Sequence, residues 1–369
     1  MHIRTIYQSK FCLKDYYIMK NKKFFSETIL KWNQFENKRS MPWKGEKDPY
    51  KIWVSEIILQ QTRVQQGLEY YERFINEWPN VKSLATAPEQ KIYKLWEGLG
   101  YYSRCKNLIE SAKYINEKLN NVFPEKYEDI LLLKGIGEYT ASAIASFAFN
   151  QPHAVLDGNV FRVLSRFFGL HTPVDTTSGK KIFSALAREL IDIGNPSFYN
   201  QGIMDFGAVV CKPALPLCNI CPLQKKCVAY NSNQINILPV KEKSIRKRER
   251  FFNYLVVEQG HKIYVNQRTD KDIWQNLYEF ILIETDELIP EQKFLRENIF
   301  TSLFKGNNYT VTKISRIYRQ KLTHQTITGR FYRITIKGSK APLKKYRLVS
   351  AKELSLLPFP KFIASYLKD

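Results

Sequence analysis

The segment CKPALPLCNICPLQKKC, residues 211–227, constrains the fold of this 369-residue chain more than any other stretch. Its four cysteines, Cys211, Cys218, Cys221 and Cys227, have the spacing Cys-x6-Cys-x2-Cys-x5-Cys. The inner Cys-x2-Cys pair has a spacing that commonly chelates a metal, and the outer gaps are short loops that surround a metal centre. Structural zinc is the alternative, but zinc sites usually carry a tight pair at each end of a finger. One tight pair between longer gaps favours a cubane iron–sulfur cluster.

The composition of the chain indicates a polyanionic partner. Lys and Arg number 57 against 35 Asp and Glu, which gives a formal net charge of +22. This charge exceeds what solubility requires and favours nucleic acid. Cys12 and Cys105 are isolated, so the six cysteines are no disulfide framework and we expect a reduced, cytoplasmic setting. No apolar run reaches the roughly 18 residues of a membrane span, and no signal peptide is evident, so no membrane partner is expected.

Hydrophobic periodicity divides the chain into an all-α part and an α+β part. From about residue 24 to 230, apolar residues recur at helical spacing with few strand signals. Strand-like and helix-like segments alternate after a basic run, which predicts a second domain. The predicted strands are 251–257, 262–266, 309–318, 328–336 and 345–349, and the predicted helices there are 291–304 and 352–367. The predicted division is an extension 1–20, a helical domain 21–230, a basic linker 231–250 and a second domain 251–369.

The stretch LKGIGEYTA, residues 133–141, predicts a helix–hairpin–helix. Gly135 and Gly137 permit a tight turn, and the next helix then begins with N–H groups that hold a DNA phosphate without reading sequence. A Gly-x-Gly between helices is more often only a C-cap, but this one precedes an Ala/Ser-rich helix in a basic chain. Together with the cysteine segment, it resembles the helix–hairpin–helix DNA glycosylases of the endonuclease III and MutY type.

Two carboxylates are candidates for acid–base chemistry. Asp157 lies in LDGNV, residues 156–160, where it opens a helical run and would serve at least as an N-cap. Glu56 lies in a strongly apolar helix, where desolvation raises the pKa of a carboxyl and suits it to donate a proton at neutral pH. A partly exposed glutamate is the plain alternative for Glu56. The resemblance to MutY implies that both are catalytic and that Asn159 and Tyr139 orient the sugar and the nucleophile.

The resemblance to MutY also implies DNA contacts. The stretch LQQTR, residues 59–63, resembles the family's minor-groove wedge, in which Gln61 fills the gap left by an extruded nucleotide. Tyr101 would stack beside the opposing base, although a core tyrosine fits the same pattern. Tyr139 stands where endonuclease III-like lyases have the lysine that forms a Schiff base, which implies a monofunctional enzyme. The implied DNA-binding positions of the helical domain are Leu59, Gln60, Gln61, Thr62, Arg63, Tyr101, Gly135 and Gly137.

Further stretches resemble the adenine pocket and the reading domain of MutY. Arg39 and Trp43 lie in a segment similar to the N-terminal pocket segment, and Asp205 stands in the pocket helix where MutY proteins usually have glutamate. The second domain resembles the Nudix-like domain that reads 8-oxoguanine, with Thr323 and His324 in place of the family's Ser-His. Thr323 keeps a hydroxyl for the oxidised base, and a plain strand is the alternative there.

The sequence therefore predicts a mainly α protein, with an all-α helix–hairpin–helix glycosylase domain, an iron–sulfur loop and a C-terminal α+β Nudix-like domain. The resemblance implies one [4Fe–4S] cluster and an adenine DNA glycosylase activity on duplex DNA with A·8-oxoguanine or A·G mispairs. It also implies a monomer associated with the bacterial nucleoid. Two alternatives stay open: an endonuclease III-like bifunctional lyase for oxidised pyrimidines, and a non-catalytic Fe–S DNA-binding protein.

Overall fold

The computed structural model describes residues 2–242, 247–306, 308–337 and 343–369, with side chains from Tyr16 onward. The chain forms two compact units. The first unit runs from the N-terminus to Tyr71 and also takes in Ile75–Lys82 and Glu110 to the linker. The second unit comprises Glu72–Phe74, Ser83–Ile109 and the chain beyond the linker. None of the helices in the described ranges has the length and apolar character of a membrane span.

Helices dominate the chain as far as Asn231, as the periodicity predicts. In chain order the α-helices are α1 His2–Phe35, α2 Pro49–Leu59, α3 Val64–Glu77, α4 Val81–Ala85, α5 Glu89–Trp96, α6 Tyr102–Lys118, α7 Tyr127–Leu131, α8 Glu138–Phe149, α9 Gly158–Phe168, α10 Thr177–Leu190, α11 Pro196–Val209, α12 Val228–Asn231, α13 Glu291–Phe294, α14 Asn298–Leu303, α15 Ala351–Leu356 and α16 Lys361–Tyr366. Short 3-10 turns occupy Cys218–Ile220 and Gln224–Lys226.

The first helix begins earlier than the sequence predicts. It starts at His2, whereas the periodicity indicates a helix only from Phe24 and a working fold from near Asn21. Ile18 packs against the same core as the buried Phe25 and Ile29. Their separations of seven and four residues place these side chains on one helix face. The apolar face of α1 therefore continues upstream of Met19.

Glycines in α11 let this helix pack closely against its neighbours. A Cβ atom added at Gly207 would lie 2.6 Å from the Asn159 Cβ, and one at Gly202 would lie 2.9 Å from the Asn33 Cβ. Such separations are shorter than van der Waals contact, so the helix backbones approach closely only because these positions lack a side chain. The core beside these contacts includes the buried Ile203 of α11. This packing fixes the end of α9 that carries Asp157.

The second unit is built on one mixed sheet. Its strands are β1 Arg248–Gln259, β2 Lys262–Gln267, β3 Tyr278–Glu279, β4 Ile281–Thr285, β5 Asn308–Ile314, β6 Tyr318–Lys321, β7 Gln325–Lys337 and β8 Arg347–Ser350. The order is β3-β2-β1-β7-β5, and β4, β6 and β8 pair with β1, β7 and β2. The pairing of β1 with β7 is parallel and the other pairings are antiparallel. The predicted fold class is thus confirmed.

Several element boundaries differ from the predictions. β1 begins at Arg248, inside the predicted linker 231–250, of which residues 243–246 lie outside the described residues. The strands β3, β4 and β6 were not predicted as separate strands. The predicted helix 352–367 is two helices, because Pro358 and Pro360 lie between α15 and α16 and cannot continue a helix. Helix 291–304 is likewise divided, and strand 309–318 ends at Ile314.

The second unit also contains a segment that the sequence analysis assigned to the helical domain. The segment Ser83–Ile109 includes α5 and joins the sheet-containing unit. The Lys94 Nζ donates to the Leu357 carbonyl at 3.0 Å, and the Asn276 Nδ2 donates to the Tyr93 hydroxyl at 2.8 Å. Such bonds between positions far apart in the sequence leave no local pattern that would predict them.

Candidate active site

The first unit contains a cavity of about 840 Å³. Its walls come from the segment before α2, from α2 and the turn after it, from both ends of α8, from the start of α9 and from α11, with Asn33 of α1. Ten of the predicted site residues line it: Arg39, Trp43, Glu56, Leu59, Gln60, Gln61, Thr62, Tyr139, Asp157 and Asn159. The fold therefore brings both candidate carboxylates, the wedge segment and the N-terminal pocket segment to one cavity.

Glu56 is a buried carboxyl on the cavity wall. The helix α2 that carries it begins with Asp48 as N-cap, whose carboxylate accepts from the Tyr50 N–H at 2.9 Å, followed by Pro49 at the first helical position. Glu56 itself is 7% exposed. Burial raises the pKa of Glu56 to about 7, the hydrogen bond from Tyr139 lowers it, and the negative charge of Asp157 raises it. This carboxyl can therefore hold a proton near neutral pH and release it locally.

Asp157 caps α9 with the same carboxylate that faces the cavity. One oxygen accepts from the Val160 N–H at 2.7 Å, and the other accepts from the Asn159 Nδ2 at 2.6 Å. Burial raises the pKa of Asp157, and these hydrogen bonds oppose that change because they favour the ionised form. The predicted capping role is present, and it holds the side chain in a fixed orientation.

Tyr139 connects the hairpin to the acidic pair. It is the second residue of α8, and its hydroxyl donates a hydrogen bond to the Glu56 carboxyl. Burial, together with the negative charges of Glu56 and Asp157, raises the pKa of Tyr139 well above its ordinary value. The hydroxyl therefore stays protonated and acts as a hydrogen-bond donor.

The turn between α7 and α8 has the form that the sequence predicts for a phosphate-binding hairpin. Gly135 has a φ of 78°, in the left-handed region that favours glycine, and the Ile136 N–H donates to the Leu133 carbonyl at 3.1 Å. Gly137 is the N-cap of α8, and a Cβ at this position would have no heavy atom within 4 Å. Neither glycine lines the cavity, so the hairpin is a separate surface of the same unit.

The wedge segment is a strained turn at the end of α2. Gln61 is exposed and has a φ of 55°, an unusual value for a residue that is neither glycine nor asparagine. Beside it, the Gln60 Nε2 donates to the Thr140 hydroxyl at 3.2 Å and ties the turn to α8. Arg63 is exposed and lies just before α3, outside the cavity wall.

The structure places Asp205 behind the cavity and not on its wall. This carboxylate is 0% exposed, and it accepts hydrogen bonds from Asn37 at 2.8 Å, Arg39 at 2.7 Å and Lys44 at 3.1 Å. Asp205 thereby holds Arg39 and Lys44, both of which line the cavity. Direct contact of Asp205 with adenine, which its place in the pocket helix implies by resemblance, stays a prediction.

The four cysteines of residues 211–227 line one small cavity of about 30 Å³. None of them forms a disulfide. The Arg166 Nη1 lies 3.5 Å from the Cys211 sulfur, and burial raises the pKa of Cys221 to about 12. Within the described residues, no three His, Cys, Asp or Glu side chains are arranged to hold a single metal ion. A cubane cluster does not need several ligands on one metal ion, because each thiolate binds a different iron. The four cysteines around one cavity are therefore compatible with such a cluster.

The second unit has a cavity of its own, of about 820 Å³. Tyr101 and Thr323 both line it, and their hydroxyl oxygens are 2.6 Å apart. Tyr101 is 42% exposed and has a φ of 47°, so it is not the core tyrosine that the sequence left as an alternative. His324 also lines this cavity, and its carbonyl accepts from the Arg248 N–H at 3.0 Å.

Comparisons with known proteins agree with this arrangement. Residues 54–189 match the HhH-GPD superfamily of base excision DNA repair proteins, and residues 253–369 match the NUDIX domain. The adenine DNA glycosylase of Buchnera aphidicola subsp. Baizongia pistaciae (strain Bp) is 36% identical over 308 residues, which cover 82% of this chain and 84% of that protein. The chain is a member of the adenine DNA glycosylase family. Its human relative, also an adenine DNA glycosylase, is 40% identical over 214 residues, or 56% of this chain and 39% of that protein.

A solved structure supports the fold of the first part of this family member. A thermostable thymine-DNA glycosylase matches with a TM-score of 0.54 and 30% sequence identity, over 58% of this chain and 98% of that chain. The resemblance in sequence and the resemblance in fold therefore point to the same superfamily.

Two buried arginines of this glycosylase family member were not predicted as site residues. Arg162 donates to the Asn159 Oδ1 at 2.8 Å and to the Gly207 and Cys211 carbonyls at 2.6 and 2.7 Å. Arg166 donates to the carbonyls of residues 212, 213 and 238. Two arginines four apart on a helix that is rich in buried apolar residues were the signal that could have revealed them, because buried charges need partners.

Proposed function

We propose that this chain is a monofunctional adenine DNA glycosylase that removes adenine mispaired with 8-oxoguanine or guanine in duplex DNA. The observation that carries the proposal is the meeting of Glu56, Tyr139 and Asp157 in one cavity, where their charges and hydrogen bonds act on one another. The cavity of about 840 Å³ lies in the range of about 300–1,000 Å³ usual for small-molecule sites, which accommodates an extruded nucleoside. We expect a monomer that acts in the cytoplasm on the nucleoid.

Glu56 would act as the general acid. The pKa of Glu56 is raised to about 7 by burial, so near pH 7 a large fraction of this side chain is protonated. As the N-glycosidic bond breaks, its electron pair goes to the adenine ring, which takes the proton of Glu56. A positioned general acid typically accelerates such a step by about 10²–10⁴-fold.

Asp157 would stabilise the sugar. Loss of the base leaves an oxocarbenium-like ring, and the ionised Asp157 carboxylate offsets its positive charge, either as an ion pair or as a transient covalent bond to the sugar. Water then adds to the anomeric carbon and gives its proton to a carboxylate. This is the division of work between two carboxylates that glycosidases use. Hydrogen bonds from Val160 and Asn159 favour the ionised form of Asp157 that this role needs.

Tyr139 argues for base removal without strand cleavage. A lyase needs an amine that attacks the sugar and forms a Schiff base. The residue at the start of α8 that lines the cavity is a tyrosine whose hydroxyl is engaged with Glu56. We therefore expect the product to be an intact strand with an abasic site.

Base extrusion is assigned to the wedge turn and the hairpin. Extrusion costs a few kcal/mol of lost stacking, which an inserted side chain offsets by filling the gap. Gln61 is exposed and has a left-handed backbone conformation just after the end of α2. Backbone N–H groups at Gly135 and Gly137 would hold the phosphate, with Thr62, Arg63 and Leu59 beside the turn.

One [4Fe–4S] cluster is proposed for the cysteine loop. Cys211, Cys218, Cys221 and Cys227 are free thiols around one cavity, a donor set that suits iron–sulfur ligation. When bound, such a cluster would cross-link the loop and position it. A structural role is expected because hydrolysis of the N-glycosidic bond involves no net change of oxidation state. Arg166, which lies against Cys211, would counter part of the negative charge of the thiolates.

The cavity of the second unit is proposed to read the opposing base. 8-Oxoguanine differs from guanine by an acceptor oxygen at C8 and a donor N–H at N7. A hydroxyl both donates and accepts, so Thr323 can bond either group, and Tyr101 beside it provides an aromatic face for stacking. His324 lies on the same turn and lines the same cavity.

Single-turnover release of adenine tests the proposal. Duplexes with A opposite 8-oxoguanine, G or T are incubated with excess protein, with Glu56→Gln as the variant and Glu27→Gln, on the exposed face of α1, as the matched control. We expect fast release from the first duplex, slower release from the second, none from the third, and a loss of at least about 10²-fold in Glu56→Gln alone. Release of oxidised pyrimidines with strand cleavage, and no release of adenine, would contradict it.

A further inference from the structure

Asn200 is a buried amide on α11 that the mechanism above does not use. It is 1% exposed, and its three hydrogen bonds all go to other elements of the first unit. Its Oδ1 accepts from the Val155 N–H at 3.2 Å, and its Nδ2 donates to the His153 carbonyl and to the Ser146 hydroxyl, both at 2.8 Å. One side chain thus joins α11, α8 and the segment between α8 and α9.

That segment, residues 151–157, has no helix or strand of its own and ends at Asp157. An irregular backbone keeps a single conformation only where other groups bond its N–H and C=O. Asn200 bonds both kinds of group, on Val155 and on His153, within four residues of Asp157. The third partner, Ser146, lies two turns after Tyr139 on α8, so the same amide also ties the helix that carries the Tyr139 hydroxyl.

We propose that Asn200 is a positioning residue for the glycosylase reaction, which fixes the backbone that presents Asp157 to the sugar. This inference rests on the proposed function. The site demands an amide: a carboxylate in its place would have no hydrogen to donate to the His153 carbonyl, and an aliphatic side chain would leave the Val155 N–H unpaired. Such chemistry distinguishes Asn200 from a residue that only fills space in the core.

The variants Asn200→Ala and Asn200→Asp test this role, with Asn21→Ala as the matched control. Asn21 is also a buried amide of the first unit, 4% exposed, and its Nδ2 donates to the Tyr17 carbonyl at 2.9 Å, away from Asp157. The wild type and all variants are compared in single-turnover release of adenine from an A·8-oxoguanine duplex, in affinity for that duplex, and in rate as a function of pH. Asn200→Asp keeps the side-chain volume, so it stays informative if Asn200→Ala does not fold.

We expect both Asn200 variants to release adenine about 10- to 100-fold more slowly than Asn21→Ala, because misplacement by about 1 Å costs as much as 10²-fold. DNA affinity should change less than threefold. In Asn200→Ala the acidic limb of the rate should also move to lower pH, since water reaching Asp157 would relieve the burial that raises its pKa. In Asn200→Asp the added negative charge opposes this shift, so the pH profile of Asn200→Ala is the one compared. Glu56, Tyr139 and Arg162 face the same carboxylate and are unchanged in these variants.

Two results would overturn the inference. One is a rate for the Asn200 variants within twofold of that for Asn21→Ala, and the other is a loss of rate that follows a loss of DNA affinity in the same proportion. These outcomes leave the proposed function intact. Failure of the wild-type protein to release adenine at all would instead remove the proposed function, and this inference with it.

Discussion

Removing the hydroxyl of Tyr139 should change the pH at which Glu56 loses its proton. Three influences act on the pKa of Glu56: burial raises it most, the hydrogen bond from Tyr139 lowers it, and the charge of Asp157 raises it. The result is a pKa of about 7. The variant Tyr139→Phe removes the one influence that lowers it and leaves the other two. The pKa of Glu56 must then rise.

The size of the change follows from the energy of the lost bond. A hydrogen bond to a charged group contributes about 1.5–3 kcal/mol, and about 1.4 kcal/mol corresponds to one pH unit. Glu56 acts as an acid in its protonated form, so the rate falls as pH rises through its pKa. We therefore expect the basic limb of the rate to move from near pH 7 in the wild type to about pH 8 or above in Tyr139→Phe.

The assay is single-turnover adenine release between pH 5.5 and pH 9.5, with each protein normalised to its own plateau, because loss of the hydroxyl also weakens the orientation of the sugar. Tyr50→Phe serves as the control. Tyr50 is on the same helix as Glu56, and its buried hydroxyl donates to the Trp78 carbonyl at 2.7 Å. A basic limb that stays in place or moves to lower pH in Tyr139→Phe would refute the hydrogen-bond argument.

Three further changes probe other parts of the chain. Gly207→Ala places a Cβ 2.6 Å from that of Asn159. We expect a loss of about 1–3 kcal/mol in the free energy of unfolding and slower base release, both measured against Gly194→Ala. Unchanged values would contradict the close packing. Tyr17→Phe removes a hydrogen bond to the Lys226 carbonyl beside Cys227. Iron should be lost from this variant faster than from the wild type when a chelator is added, while the melting temperature stays the same. Equal rates of iron loss would show that this hydrogen bond does not help to retain the cluster. Thr323→Val should narrow the preference for A·8-oxoguanine over A·G, and a preference that stays the same would leave Thr323 without a role in base reading.

The features that the sequence predicted well depend on short-range physics. A Gly-x-Gly turn fixes the hairpin through the backbone freedom of Gly135 and the exposed start of α8, all within a dozen residues. The capping role of Asp157 likewise needs only the residues up to Val160. Glu56 was predicted as a site residue because a carboxyl in a strongly apolar helix is unfavourable to bury. The structure places it on the cavity wall.

The features that the sequence could not supply depend on partners far along the chain. Asp205 lies in the predicted pocket helix, and nothing near it in the sequence indicates that its carboxylate bonds Arg39 and Lys44, more than 160 residues earlier. The pairing of Tyr101 with Thr323 spans 222 residues. No periodicity or local motif records such pairings, because they are decided by which surfaces the folded chain brings together.

The two carboxylates show why residue identity alone does not settle the chemistry. Glu56 and Asp157 both have a raised pKa because both are buried, yet the proposed roles require one to carry a proton and the other a charge. Their environments separate them. Asp157 accepts two hydrogen bonds shorter than 2.8 Å from its own helix end, whereas Glu56 accepts a hydrogen bond from the Tyr139 hydroxyl and lies near the negative charge of Asp157. The assignment of acid and stabiliser therefore follows from the hydrogen-bond donors that surround each carboxyl.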